Sequence, residues 1–100
     1  MLIIKKYQMD KFNEFFKSQF LISMLEIYPN SNYNQILFIV NEALNYRIET
    51  EILVSKYIKL YLSNIQLFTV KPQWMSYTLM SRNFSNEDKL YHIEKNIKER

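Results

Sequence analysis

The stretch Tyr33-Asn34-Gln35-Ile36-Leu37-Phe38-Ile39-Val40-Asn41-Glu42-Ala43-Leu44 decides how this chain folds. Its middle, Ile36 to Val40, is apolar on every side and, taken alone, could be a buried strand. The continuation Asn41-Glu42-Ala43-Leu44 removes that option. Tyr33, Ile36, Leu37, Val40 and Leu44 recur at helical spacing, so the segment reads as a helix over about 32–46. A helix apolar all round sits centrally or offers one face to a partner. Ser31 or Asn32 caps its start, with Gln35 supporting Asn32.

Outward from there the same period recurs. Met9, Phe12, Phe16, Phe20, Met24 and Ile27 share one face of a helix over about 5–28, widened by Phe15, Leu21 and Leu25. Pro29 closes that helix, because the residue before proline is biased away from the helical region. On the other side, Arg47 to Thr50 makes a short break. Thr50 is then an N-cap, with Glu51 placed favourably at the start of a helix over about 50–68. Leu53, Val54, Tyr57, Ile58, Tyr61 and Ile65 form its stripe. A short helix over 74–81 follows Pro72. Ser85 opens the last helix, over about 86–98, with Leu90, Ile93 and Ile97 inward. Leu2 to Ile4 reads as an extended lead-in. The expected fold is all-α, a single-domain bundle of four to five helices spanning 1–100.

Composition narrows the function. The chain has 100 residues, no glycine and no cysteine. Without glycine there is no phosphate-cradling loop, dinucleotide fingerprint, nucleophile elbow or calcium loop. Turns are expected at φ < 0, or with Asn in the left-handed region. Without cysteine, disulfides, thiol catalysis and thiolate zinc sites are excluded. Apolar residues are 48% and charged residues 23%, ordinary globular values. The segment Met1 to Lys6 does not have the order of a signal peptide, since charge follows the apolar run. Ile36 to Val40 is too short to span a bilayer. The expected location is the cytoplasm. The net charge of +3 is a mild excess, and the abundance of Asn, Ile, Lys and Tyr is what AT-rich coding produces.

Candidate chemistry is sparse. His92 is the only histidine, and the local carboxylates Glu87, Asp88 and Glu94 read as helix-end and surface charges rather than as its catalytic partners. Glu49 and Glu51 are two apart and do not share a helical face. Glu87 and Asp88 stand at a helix start, where acids are favoured in any case. No catalytic, cofactor or metal residue is assigned. Lys56-Tyr57 and Lys59-Leu60-Tyr61 interleave cations with aromatics as single-strand binders do. Tyr57 and Tyr61, however, fall on the apolar stripe. A basic membrane-surface helix is diluted by Asp10, Glu14 and Glu26. Trp74 follows Pro72 and reads either as a plug between helices or as an interface anchor. Met75, Tyr77, Met80 and Phe84 crowd the same region with more apolar matter than a two-turn helix needs. These residues, with Tyr46 and Arg47, are the candidate partner-binding set.

The order of landmarks resembles a family of small helical proteins encoded in bacterial type VI secretion loci. The residues that carry the resemblance are Ile3-Ile4, Gln8-Met9 and Phe12 at the start, then Phe20, Met24 and Tyr28-Pro29. Further matches are Ile48 with Thr50-Glu51, and Val54, Tyr57-Ile58 and Leu60. Last come Pro72, Trp74 and Leu79, with Ser85, Asp88-Lys89 and Ile93. These are packing and capping residues, and they run along nearly the whole chain. The family often carries glycine before the third helix and an acidic loop before the tryptophan. Here Arg47 stands in the first place, and Asn64 to Lys71 is short and not acidic. The resemblance implies an accessory protein encoded near secreted toxins or spike components, and brings no catalytic residue.

The expected function is therefore a non-enzymatic interaction protein. It would be a chaperone, adaptor or immunity-type partner of a secreted effector or spike component. A small basic helical nucleic-acid-binding regulator is the alternative, and an enzyme comes third. A surplus apolar face would equally serve a homodimer.

Overall fold

The computed structural model describes residues 14–99, with side chains over 17–99. The expected lead-in at Leu2 to Ile4, the early stripe positions Met9 and Phe12, and the side chains of Phe15 and Phe16 lie outside the described residues. Six helices follow one another and no strand occurs among the described residues: α1 (Glu14–Ile27), α2 (Tyr33–Asn45), α3 (Glu51–Ser63), α4 (Ile65–Val70), α5 (Gln73–Met80) and α6 (Asn86–Lys98). The architecture is an all-α single domain.

α2 carries the decisive stretch, and its inward face is Ile36, Ile39, Val40 and Ala43. That is the i, i+3, i+4, i+7 set of a core-facing helix. The stripe is rotated slightly from the expected one: Tyr33 is exposed and Leu37 and Leu44 are only partly buried, while Ile39 and Ala43 are interior. Asn32 caps the start, its side-chain oxygen accepting from the Gln35 amide at 2.8 Å. α2 packs between α1 and α3, α3 packs on α6, and α5 lies against α6. α1 buries Phe20, Leu21 and Met24, while Ile27 turns outward. Lys17 Nζ, donating to Asn41 Oδ1 at 2.6 Å, also ties α1 to α2.

One expected helix is two. The segment expected over 50–68 breaks at Asn64, whose backbone leaves helical geometry (φ −142°, ψ 52°). The Asn64 amide donates to Tyr61 O at 3.1 Å, and its side-chain Nδ2 donates to Leu60 O at 3.0 Å. A short amide side chain that competes for the helix's own carbonyls is what ends α3 there. The chain restarts as α4 and brings Phe68 back into the core. Ile65, expected on the α3 stripe, is consequently exposed. Phe68 meets Tyr57 edge-on, with centroids 5.5 Å apart at 85°, and Tyr61 at 5.3 Å. These arrangements add to the burial of the rings themselves.

Among the described residues two turns enter the left-handed region, and neither uses asparagine: Arg47 has φ 67° and Lys71 has φ 52°. At the end of α2 the Arg47 amide donates to Leu44 O and the Ile48 amide to Ala43 O, each at 2.9 Å. This is a Schellman closure with Arg47 in the place glycine usually holds. Ile48 and Ala43, the apolar pair that accompanies the motif, are both fully buried. Their burial holds a side-chain-bearing residue where the backbone disfavours one by about 1–2 kcal/mol.

Candidate partner-binding surface

α5 starts after Pro72, whose carbonyl accepts the Met75 and Ser76 amides. It buries Met75 and Leu79, four residues apart, against α6. That spacing forces Tyr77 and Met80 outward, to 67% and 66% exposure. Of the candidate set, Met75 is thus wholly interior (0% exposed) and presents no surface. Trp74 is half-buried and packs against the core. Tyr77 and Met80 share one outward face of α5. Phe84 is exposed on the loop that follows, and its ring lies 4.7 Å from that of His92, tilted by 47°. His92 also meets the exposed ring of Tyr91 edge-on at 5.7 Å. His92 is therefore part of an aromatic cluster on the surface of α6.

Tyr46 and Arg47 lie at the far end of α2, yet α6 reaches them. Asn86 Nδ2 donates to Arg47 O at 2.6 Å, and Lys89 Nζ donates to Tyr46 O at 3.3 Å. Tyr46 is half-buried against the core, and Arg47 is exposed. Arg47 and Phe84 thereby come to line one recess of about 570 Å³, shared with Glu49, Arg82, Asn86 and Lys89. Sequence reading missed Lys89, which is only 2% exposed although it sits on a charged helix. Burial lowers its pKa below the ordinary lysine value, and the neighbouring Arg47 charge lowers it further. The sequence signals were its place next to Leu90 on the inward side of α6 and its place among the residues that carry the resemblance.

A second polar cluster is half-buried between α2, α3 and the end of α4. Glu42 Oε1 accepts from the Tyr57 hydroxyl at 2.5 Å and from Lys71 Nζ at 2.9 Å. Lys71 Nζ also donates to Phe68 O at 2.6 Å and lies 5.7 Å from the centre of the Tyr61 ring. Burial, then the Glu42 hydrogen bond and charge, push the Tyr57 hydroxyl far above the usual tyrosine range. A phenol so held keeps its proton. The cluster ties α2, α3 and the residue after α4 together, and its chemistry is that of a staple.

Among the described residues no group of three or more His, Asp and Glu side chains could hold a metal ion, and no helix is long and apolar enough to cross a membrane. No family model, curated protein or solved structure significantly matches the chain. The likeness to type VI secretion proteins accordingly rests on the quoted residues alone, of which those before residue 14 lie outside the described structure.

Proposed function

We propose that this chain is a non-enzymatic interaction protein of the bacterial cytoplasm, docking a protein partner on the outward face of α5 and the adjoining part of α6. The carrying observation is the pair Tyr77 and Met80, two-thirds exposed on one side of α5, in a chain whose interior has room for Met75 and Leu79. Aromatic and methionine side chains give large, adaptable contact area and are enriched at the centres of interfaces. Exposed Phe84 and Tyr91 follow in the same helical hairpin. The narrower reading, a chaperone, adaptor or immunity-type partner of a secreted effector or spike component, is supported by the sequence resemblance.

The nucleic-acid alternative would draw support from a continuous basic stripe. Lys56 and Lys98 instead both pair with Glu94, at 3.5 and 3.6 Å, which places a carboxylate between them.

The test is co-expression with the products of the flanking genes. A flanking gene product should co-purify with the wild-type chain and be lost from a Tyr77→Ser/Met80→Ser double variant. Both positions are exposed, so the variant's unfolding free energy should stay within about 0.5 kcal/mol of wild type. Retention of the partner by the double variant would remove α5 from the interface. Retention of DNA at moderate salt, with no protein partner, would overturn the reading.

A further inference from the structure

Lys89 is a buried cation that the protein itself leaves poorly served. Its ammonium makes one hydrogen bond, a long one of 3.3 Å to the Tyr46 carbonyl. No carboxylate among the described residues lies within 4.0 Å of it. Buried ammonium groups are ordinarily paired, because removing the charge from water unpaired is expensive. Arg47 acts on Lys89 as a like charge and repels it. Arg82, which makes no hydrogen bond or ion pair among the described residues, completes a set of three cations on the wall of one recess. Glu49 is the carboxylate on that wall, and it forms no ion pair with any of the three. Three cations less one carboxylate leave two positive charges in a cavity of about 570 Å³.

The start of α6 does not anchor the site. Ser85 Oγ already accepts the Asp88 amide at 3.1 Å, and Glu87 and Asp88 occupy the first turn. The attraction comes from the side chains, which approach from three separate segments: the α2 closure, the α5–α6 loop and α6.

We infer that the recess between the Arg47 turn and α6 binds a small phosphate-class oxyanion, held by Arg47, Arg82 and Lys89. Two unbalanced positive charges match a phosphate dianion. The planar forks of two arginines suit its oxygens, and the buried lysine gains the counter-charge that the fold withholds. A free small anion is favoured over the phosphates of a nucleic-acid backbone because Lys89 is interior and the recess is only about 570 Å³. The inference does not depend on the protein partner. The Tyr77→Ser/Met80→Ser variant should bind phosphate as wild type does.

Inorganic phosphate is titrated to millimolar concentration against chloride at matched ionic strength, with amide chemical shifts followed in the full chain. Saturable shifts at Arg47 and over 82–89 are expected with phosphate and not with chloride. Arg82→Ala, at an exposed position, and Lys89→Met, which keeps the buried volume, should each weaken binding by about tenfold or more. The absence of a saturable response in wild type, or an undiminished one in both variants, overturns the proposal. A short DNA duplex that binds more tightly than phosphate, and loses binding in the same variants, overturns the assignment to a small ligand.

Discussion

Lys71 and Lys89 are both withdrawn from solvent, and the fold treats them in opposite ways. Lys71 has Glu42 at 2.9 Å, a carbonyl at 2.6 Å and an aromatic face. Lys89 has one long bond to a carbonyl and an arginine for a neighbour. The first arrangement is closed, since every charge has its opposite within the chain. The second is open, and its remaining requirement is met from outside. The contrast separates a cation that holds the fold together from one that the fold holds ready.

The largest effect belongs to the closed side. Glu42→Ala removes the acceptor shared by Lys71 and Tyr57, leaving a buried hydroxyl unserved and a half-buried ammonium without its counter-charge, with only the Phe68 carbonyl still accepting from it. Denaturant unfolding should show a loss of about 3 kcal/mol, as when one partner of a buried pair is deleted. A loss under about 1 kcal/mol would mean that the cluster is solvated and the contrast false.

Tyr57→Phe is the next step down, at about 2 kcal/mol for a hydrogen bond to a charged acceptor. It also has a pH signature. The folded hydroxyl ionises far above the ordinary tyrosine value of 10.0, so its contribution is fully present below that value and is lost as pH rises beyond it. Wild-type stability should therefore fall above that point, and the decline should flatten in the variant.

Lys89→Met should go the other way. In phosphate-free buffer, replacing a poorly paired buried cation with a methyl-thioether of similar length should raise stability by about 1 kcal/mol. The pH dependence has the opposite sign from that of Tyr57. The folded pKa of Lys89 is lowered, so the unfolded chain binds more protons between that lowered value and the ordinary 10.5. Stability in wild type should rise with pH through this window until tyrosine ionisation intervenes. The other charged groups on the same wall are Arg47, Arg82 and Glu49, and the rise should be absent from Lys89→Met.

The smallest effect tests the turn that positions the open site. Arg47→Gly relieves a side-chain-bearing residue in left-handed geometry and should stabilise the fold by about 0.5–1 kcal/mol, less than the full strain because glycine also loosens the unfolded chain. The same change removes one cation from the recess. Greater thermal stability with weaker phosphate binding is the expected pair of results.

Much of this fold was legible in order of apolar residues alone. Ile36 to Leu44 read as a helix because only a 3.6-residue period places Tyr33, Ile36, Leu37, Val40 and Leu44 together, and Ser31 or Asn32, Thr50 and Ser85 announced the starts of α2, α3 and α6 by their capping chemistry. What escaped the sequence depends on tertiary competition. Asn64 could have remained within a long helix, and its side chain took the Leu60 carbonyl instead. The absence of glycine pointed to asparagine for any left-handed turn, whereas burial of Ile48 imposes that geometry on Arg47 and the Glu42 cluster accompanies it at Lys71. Of the candidate surface, Tyr77 and Met80 were readable as surplus. Met75 was not distinguishable from them, because a two-turn helix does not reveal which of its apolar sides faces the core. Nothing in the apolar period marks Lys89 as interior, and only the packing of α6 on the α2 closure shows it to be so.

The most direct test is the ionisation of Lys89 itself, followed by NMR at its side-chain Cε and Nζ with and without inorganic phosphate. In phosphate-free buffer the pKa should lie below the ordinary lysine value of 10.5, and saturating phosphate should move it upward, because an anion beside a buried ammonium favours the charged form. A pKa that phosphate leaves unchanged would contradict the account.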